Sequence, residues 1–355
     1  MARYKETKAK GSSKKILIPI LIIVIIIAGI LLTMKILKDK NNNNETISLG
    51  TDEGIKAEGK KNEEIKIFSG KDRPIAVMID NHKDAWPQAG LNDAYAIYEI
   101  IVEGGETRMM ALFKGVNVEK IGPVRSSRHY FLDYALENDA IYAHYGWSPK
   151  AESDISTLKV NNINGITESS SDFWRIKQKS SPHNVLTSIE NLKKIAEKKN
   201  YRTTSNSESV LKYTSKEVEL DSEQVANKVT IPYSTLHTTS YEYNPETKRY
   251  TRYARNIKQT DFTTSEEITT KNIIITFAKN FDLKDSENKG RQDLTDVGTL
   301  DGYYITNGKA IKIKCEKSSR TEKTVYKDLN GNVINVNDGN TFFNICPIDA
   351  KVTFE

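Results

Sequence analysis

Nineteen consecutive residues without a charge, Ile16–Met34 (ILIPILIIVIIIAGILLTM), limit what the rest of the chain can be. As a helix, such a run crosses a hydrocarbon layer of about 30 Å. Arg3, Lys5, Lys8, Lys10, Lys14 and Lys15 precede it against Glu6 alone, whereas Lys35, Lys38 and Lys40 follow it with Asp39 among them. That excess predicts a cytoplasmic N-terminus, so the expectation is a single-pass protein of the cell membrane with the bulk of its chain extracytoplasmic. A cleaved signal peptide is the competing reading. The stretch IIAG before Ile30 has the small-residue look of a lipoprotein processing site, but the lipid-accepting cysteine is missing, which favours an uncleaved anchor.

The tail also explains the net charge. The chain is formally +5, and residues 1–15 carry six basic side chains and one acidic, so the remainder is neutral. A nucleic-acid partner, which requires a basic stripe on the folded domain, is therefore not expected. Of 355 residues, 37% are apolar and 28% charged, an ordinary globular balance. Cys315 and Cys346 are the two cysteines. In an oxidising compartment they can pair or remain free, and spacing does not decide which. No C-x-x-C or His-x-x-x-His spacing is present, so neither a metal nor a cofactor is expected, and a metal site would have to assemble from separate loops.

After the cytoplasmic tail (1–15) and the anchor (16–34), residues 35–69 read as a flexible linker, polar and nearly free of aromatics. From Arg73 the apolar run PIAVMID predicts a strand that delivers Asp80, Asn81 and His82 to a loop. Gly104-Gly105 between two apolar runs is a hairpin signal. A helix is expected over about 127–137, a strand at AIYAHYGW, and further helices after the Ser148-Pro149 and Thr187-Ser188 caps. These make an α+β first domain, mixed α/β in layout, over 70–200. A polar connection follows at 201–227, and a mainly-β second domain at 228–355, where short β-branched and aromatic segments alternate with Asn-Gly, Asn-Pro and Asp-Gly turns.

Four of the five histidines and all three tryptophans fall in the first domain, which is the better place for a site. The strongest constellation is ionic: Glu99, Glu103 and Glu106 flank the Gly-Gly turn, Arg108 follows, and GPVRSSRH adds Arg125, Arg128 and His129 before an expected helix. Alternation along a strand would put Glu99 and Glu103 on one face. Two chemistries fit. Glu103 and Glu106 are candidate acid/base carboxylates for an enzyme on wall polymers, of glycosidase or phosphotransferase type. Alternatively Arg108, Arg125, Arg128 and His129, with Asp80 and His82, bind an anion. A third reading makes the arginines partners of the protein's own carboxylates, a common way of building a fold.

The strings RPIAVMIDNHKDAWPQAGLNDAYAIYEIIVEGGETRMMALFKG and KIGPVRSSRHYFLDYALENDAIYAHYGWSP resemble the N-terminal domain of the YerB-like family of bacterial lipoproteins. GRQDLTDVGTLDGYYITNGKAIKIKCEK and DGNTFFNICP are similar to its second domain. The resemblance implies a two-domain cell-envelope protein of Gram-positive-type bacteria and carries no established reaction. With it, the expected function is binding of an anionic wall component or an envelope protein, with wall-polymer enzymology as the alternative.

Overall fold

The computed structural model describes residues 65–355. The expected tail (1–15), membrane span (16–34) and linker up to residue 64 lie outside them. Among the described residues no helix is long and apolar enough to cross a membrane.

PIAVMID forms β1 (Ile75–Asp80), buried along its whole length. The Gly-Gly signal closes a hairpin between β2 (Ala96–Ile101) and β3 (Thr107–Phe113), paired from Ala96 opposite Leu112 to Ile101 opposite Thr107. β4 (Ile141–His144) and β5 (Asn162–Asn164) continue this half. From the C-terminal half come β6 (Asn272–Asp282), β7 (Gly298–Thr306), β8 (Lys309–Lys317), β9 (Val325–Asp328) and β10 (Thr341–Pro347).

All ten strands share one sheet in the order β9-β8-β7-β6-β10-β2-β3-β1-β4-β5, and Gln292–Thr295 adds to β6 as its eleventh strand. The last of these in sequence, β10, sits at the middle, parallel to β6 on one side and to β2 on the other. Every residue of β10 is buried, as expected for a strand with both faces covered. Family-scale halves that look separate in sequence are thus joined by a continuous hydrogen-bond ladder.

Alternation along β1 sends Ile75, Val77 and Ile79 to one face and Ala76 and Met78 to the other. The first face packs on a six-stranded sheet built around Lys228–Pro232, Thr238–Asn244 and Arg249–Ala254, through Val229, Ile231, Tyr241 and Tyr250. The second packs on helix α1 (Phe131–Glu137), through Phe131, Leu132, Tyr134 and Ala135. Helices α2 (Pro149–Thr157) and α3 (Ile189–Lys198) start where their caps require: Ser148 Oγ accepts from Ala151 N–H at 3.3 Å and Ser188 Oγ from Asn191 N–H at 3.1 Å. The fold is mostly β with few helices.

Helix α1 begins at Phe131, later than the sequence suggests. Ser127 is held instead by the chain after β4: its N–H donates to Gly146 O at 2.9 Å and its carbonyl accepts from Ser148 N–H at 3.2 Å, and a turn over residues 128–130 leads into the helix. Both cysteines are free and buried, Cys315 Sγ lying 3.3 Å from Thr276 Oγ1 and Cys346 Sγ 3.7 Å from Thr276 O. Burial pushes the Cys315 thiol up to about 12, which makes it unreactive at neutral pH.

Glu99 does not share a face with Glu103. It points from β2 into the interface between the sheets, fully buried, where Arg252 Nη2 donates to its Oε2 at 2.8 Å. Thr239 Oγ1 at 2.8 Å, Thr107 Oγ1 at 2.9 Å, His237 Nε2 at 3.0 Å and Asn81 Nδ2 at 3.1 Å surround its Oε1. Burial raises the Glu99 carboxyl, but Arg252 and His237 outweigh it and hold the group well below the usual carboxylate range. Removing one member leaves an uncompensated buried charge, so Arg252→Leu should destabilise the protein by about 3–5 kcal/mol in urea unfolding, and Glu99→Gln added to it should restore much of that loss.

Candidate functional site

Where β1 ends and β3 begins, Asp80 lies opposite Arg108. The Asp80 side chain is 4% exposed and receives two groups at one oxygen: His183 Nδ1 is 2.7 Å and Arg125 Nε 3.1 Å from Oδ2. The turn after β2 is a single 3-10 turn, Glu103–Gly105, with φ of 71° at Gly104 and 73° at Gly105. That left-handed pair turns Glu103 off the strand face and back towards the sheet's end. At Gly105 the space is also taken, since a Cβ there would stand 3.0 Å from Ser234 Oγ, which donates to Gly105 O.

Glu103 consequently meets two guanidinium groups. Its Oε1 accepts from Arg108 Nη2 at 3.0 Å and from Arg128 Nη2, and its Oε2 from Arg128 Nε at 2.9 Å. Arg108 and Arg128 use their other donors on Ser126 O and Ser127 O. Glu106 pairs with Arg255, and its Oε1 lies 3.9 Å from His82 Nε2. The His82 ring stacks on His183, centroids 4.6 Å apart at 17°. Between Asp80, His82, Glu103, Arg108, Arg125 and His183 opens a depression of about 150 Å³.

Charge is tuned here by burial and by partners. Burial raises the Asp80 carboxyl, but the hydrogen bond from His183 and the Arg125 charge hold it below its ordinary value. Glu103 is likewise raised by burial and lowered further by Arg108 and Arg128, to about 2. Burial, with Arg128 alongside, brings Arg108 down to about 10, still charged at neutral pH. Glu103 thus holds no proton to donate at pH 7, and its lone pairs face guanidinium donors. The role of general acid or base that the sequence suggests for it has no support in this geometry. Glu106 is committed to Arg255 as its ion-pair partner.

The structure therefore gathers Asp80, His82, Glu103, Glu106, Arg108 and Arg125 around one depression, with Arg128 behind Glu103. His129 is elsewhere. Its ring turns into a second hollow of about 280 Å³, where Nε2 is 2.7 Å from Asp293 Oδ1, near Asp133, Asp296 and Arg320. Residues 128 and 129 diverge because the chain passes into α1 immediately afterwards. His183 joins the first depression from far along the chain, and nothing in the sequence around it points to Asp80. Thr107 also lines the depression; its Oγ1 accepts from the buried Asn81 Nδ2 at 2.7 Å, and both residues donate to Glu99.

Comparison with known proteins completes the picture. The description "Protein of unknown function (DUF3048) N-terminal domain" matches residues 61–202, and the corresponding C-terminal domain matches residues 229–343. The chain belongs to the DUF3048 family. It is similar to YerB of Bacillus subtilis (strain 168), a candidate lipoprotein, at 31% identity over 290 residues, covering 78% of this chain and 82% of that one. The crystal structure of the YerB protein from Bacillus subtilis superposes with a TM-score of 0.70 at 29% identity, covering 80% of this chain and 94% of the other. DUF3048 thus accounts for both halves of the sheet, and the YerB resemblance of the sequence holds.

The depressed Glu103 carboxyl has a measurable consequence. Its contribution to stability is complete above the unfolded value near 4.5 and is lost as pH falls towards about 2. The urea midpoint of the wild type should therefore fall more steeply between pH 5 and 2.5 than that of Glu103→Gln. Parallel curves would show that the clamp adds nothing.

Proposed function

We propose that this DUF3048 protein is an extracytoplasmic envelope protein, held at the cell membrane by the Ile16–Met34 segment with its N-terminus in the cytoplasm. The depression beside Asp80 takes a phosphate- or carboxylate-bearing group of a wall component or envelope partner. The candidate-lipoprotein description of the Bacillus subtilis relative supports the address. Ile30, where a lipoprotein carries cysteine, favours the apolar span over a lipid as the anchor.

One observation carries the binding reading. Arg108 and Arg128 are consumed by Glu103 and backbone carbonyls, whereas Arg125 meets Asp80 at Nε and its Nη groups make no hydrogen bond among the described residues. Arg125 lines, with His82 and His183, a hollow large enough for one tetrahedral or planar anion. Chemistry on a wall polymer is the second reading, and the Asp80–His183 pair favours it, because a carboxylate at Nδ1 orients the imidazole as catalytic histidines are oriented. In that reading the acid/base group is His183, with Glu103 and Glu106 as fixed charges.

Thermal unfolding of the full-length protein in detergent, with EDTA present, tests binding. Inorganic phosphate or pyrophosphate at ten times its Kd stabilises by about 1.4 kcal/mol, a rise of about 2–4 °C in Tm. The rise should vanish in Arg125→Ala and persist in His129→Ala; no rise with either anion removes the binding reading. Release of soluble product from purified wall, abolished by His183→Ala and retained by Glu103→Gln, would instead make the protein an enzyme.

A further inference from the structure

The loop after β1 places His82 and Asp84 on either side of Lys83, on a single 3-10 turn over Lys83–Ala85. His183 arrives from the Ser181-Pro182 segment, about a hundred residues later. Among the described residues, His82, Asp84 and His183 each offer one ligand atom such that all three atoms lie within 4.8 Å of one another. His82 Nδ1 is 3.5 Å from Asp84 Oδ2. Two imidazoles and a carboxylate form a nitrogen-oxygen set of the kind that suits zinc and its neighbours in the first transition row, rather than calcium or magnesium, which take oxygen ligands.

A second observation is independent of that proximity. His183 is 14% exposed, and its Nδ1 is tied at 2.7 Å to the nearly buried Asp80 carboxylate. With Nδ1–H donated to Asp80, the His183 Nε2 lone pair is the free one. Metal-ligating histidines are characteristically held in this way, their second nitrogen donated to a carboxylate that fixes tautomer and ring orientation. Asp80 is in turn balanced by Arg125, so it serves as an outer carboxylate and is not needed as a ligand.

We propose that His82, Asp84 and His183 bind one divalent transition-metal ion of the zinc class, with Asp80 orienting His183. Bond lengths of about 2.0–2.1 Å require the ligand atoms to draw together from their present spacing. The two outer ligands are the more exposed, the His82 side chain at 31% and that of Asp84 at 58%, so binding takes the His82 ring out of its stack and off the Asp84 N–H that now donates to its Nδ1, while His183 stays in place. Three protein ligands leave a position open, next to the Arg125 fork. The inference deepens the anion reading, since a metal-bound anion would also reach Arg125, but the metal site itself rests on its own three residues.

Titration calorimetry on the full-length protein in detergent, stripped with EDTA and then freed of it, decides the matter with Zn2+ alone and no added anion. One equivalent should bind, and Co2+ should give the visible absorption bands of a nitrogen-ligated ion. His183→Ala and Asp84→Asn should each weaken Zn2+ binding at least tenfold. Asp80→Asn, which removes no ligand, should weaken it by about 10–100-fold. Asp84 is exposed enough that its variant reports on the metal rather than on folding. No binding, or binding unchanged in Asp84→Asn and His183→Ala, overturns the proposal.

Arg125→Ala separates the two readings. Zinc retained with the phosphate shift lost supports both. Zinc bound in a protein that no anion stabilises upholds the metal site and removes the anion reading. A phosphate shift in a protein that binds no zinc does the reverse.

Discussion

A carboxylate with no access to water sits between the two sheets, and much of the molecule is arranged to keep it satisfied. Glu99 comes from β2, Arg252 and Thr239 from the smaller sheet, His237 from the turn between its strands, and Asn81 from the end of β1. A buried ion pair is weak evidence for stability, because hydrophobic replacements of similar volume often do as well. What it supplies here is register. A two-residue slip of Arg249–Ala254 against the large sheet would leave Glu99 and Arg252 both uncompensated, so only one docking of the two layers is tolerated.

The same cluster carries that order to the surface. Asn81 bonds Glu99 with its amide nitrogen and accepts from Trp86 and Gln88 with its oxygen. The loop that holds His82 and Asp84 is therefore tethered from beneath, one residue beyond Asp80. Glu103, clamped by Arg108 and Arg128, walls the other side. A hollow bounded by fixed charges on both sides is already organised, so the binding proposed for it would carry a small ordering penalty.

Local signals were readable from the sequence and distant ones were not. PIAVMID as a strand, the Gly104-Gly105 hairpin, and the Ser148 and Ser188 caps rest on residues a few positions apart, and each is where local chemistry puts it. The ionic group Asp80, Glu103, Glu106, Arg108, Arg125 and Arg128 was legible as a group because it falls within one supersecondary unit. His129 was not separable from it, because the pairing of Ser127 with the chain after β4 and the turn that follows are set by distant residues, and that turn sends the two neighbouring side chains apart. His183, His237 and Arg252 were invisible as partners, since nothing in the sequence around them records a carboxylate that lies a hundred or more residues away.

The place of β10 bears on how the protein is made. A ribosome releases β2 more than two hundred residues before Thr341–Pro347, yet the two are neighbours at the middle of the sheet. Until the final strand emerges, one edge of β2 exposes unpaired backbone groups, the condition that invites pairing with other chains. The nascent chain cannot complete either half and wait for the other. Such a topology makes any premature stop before residue 341 a source of aggregation rather than of a working fragment.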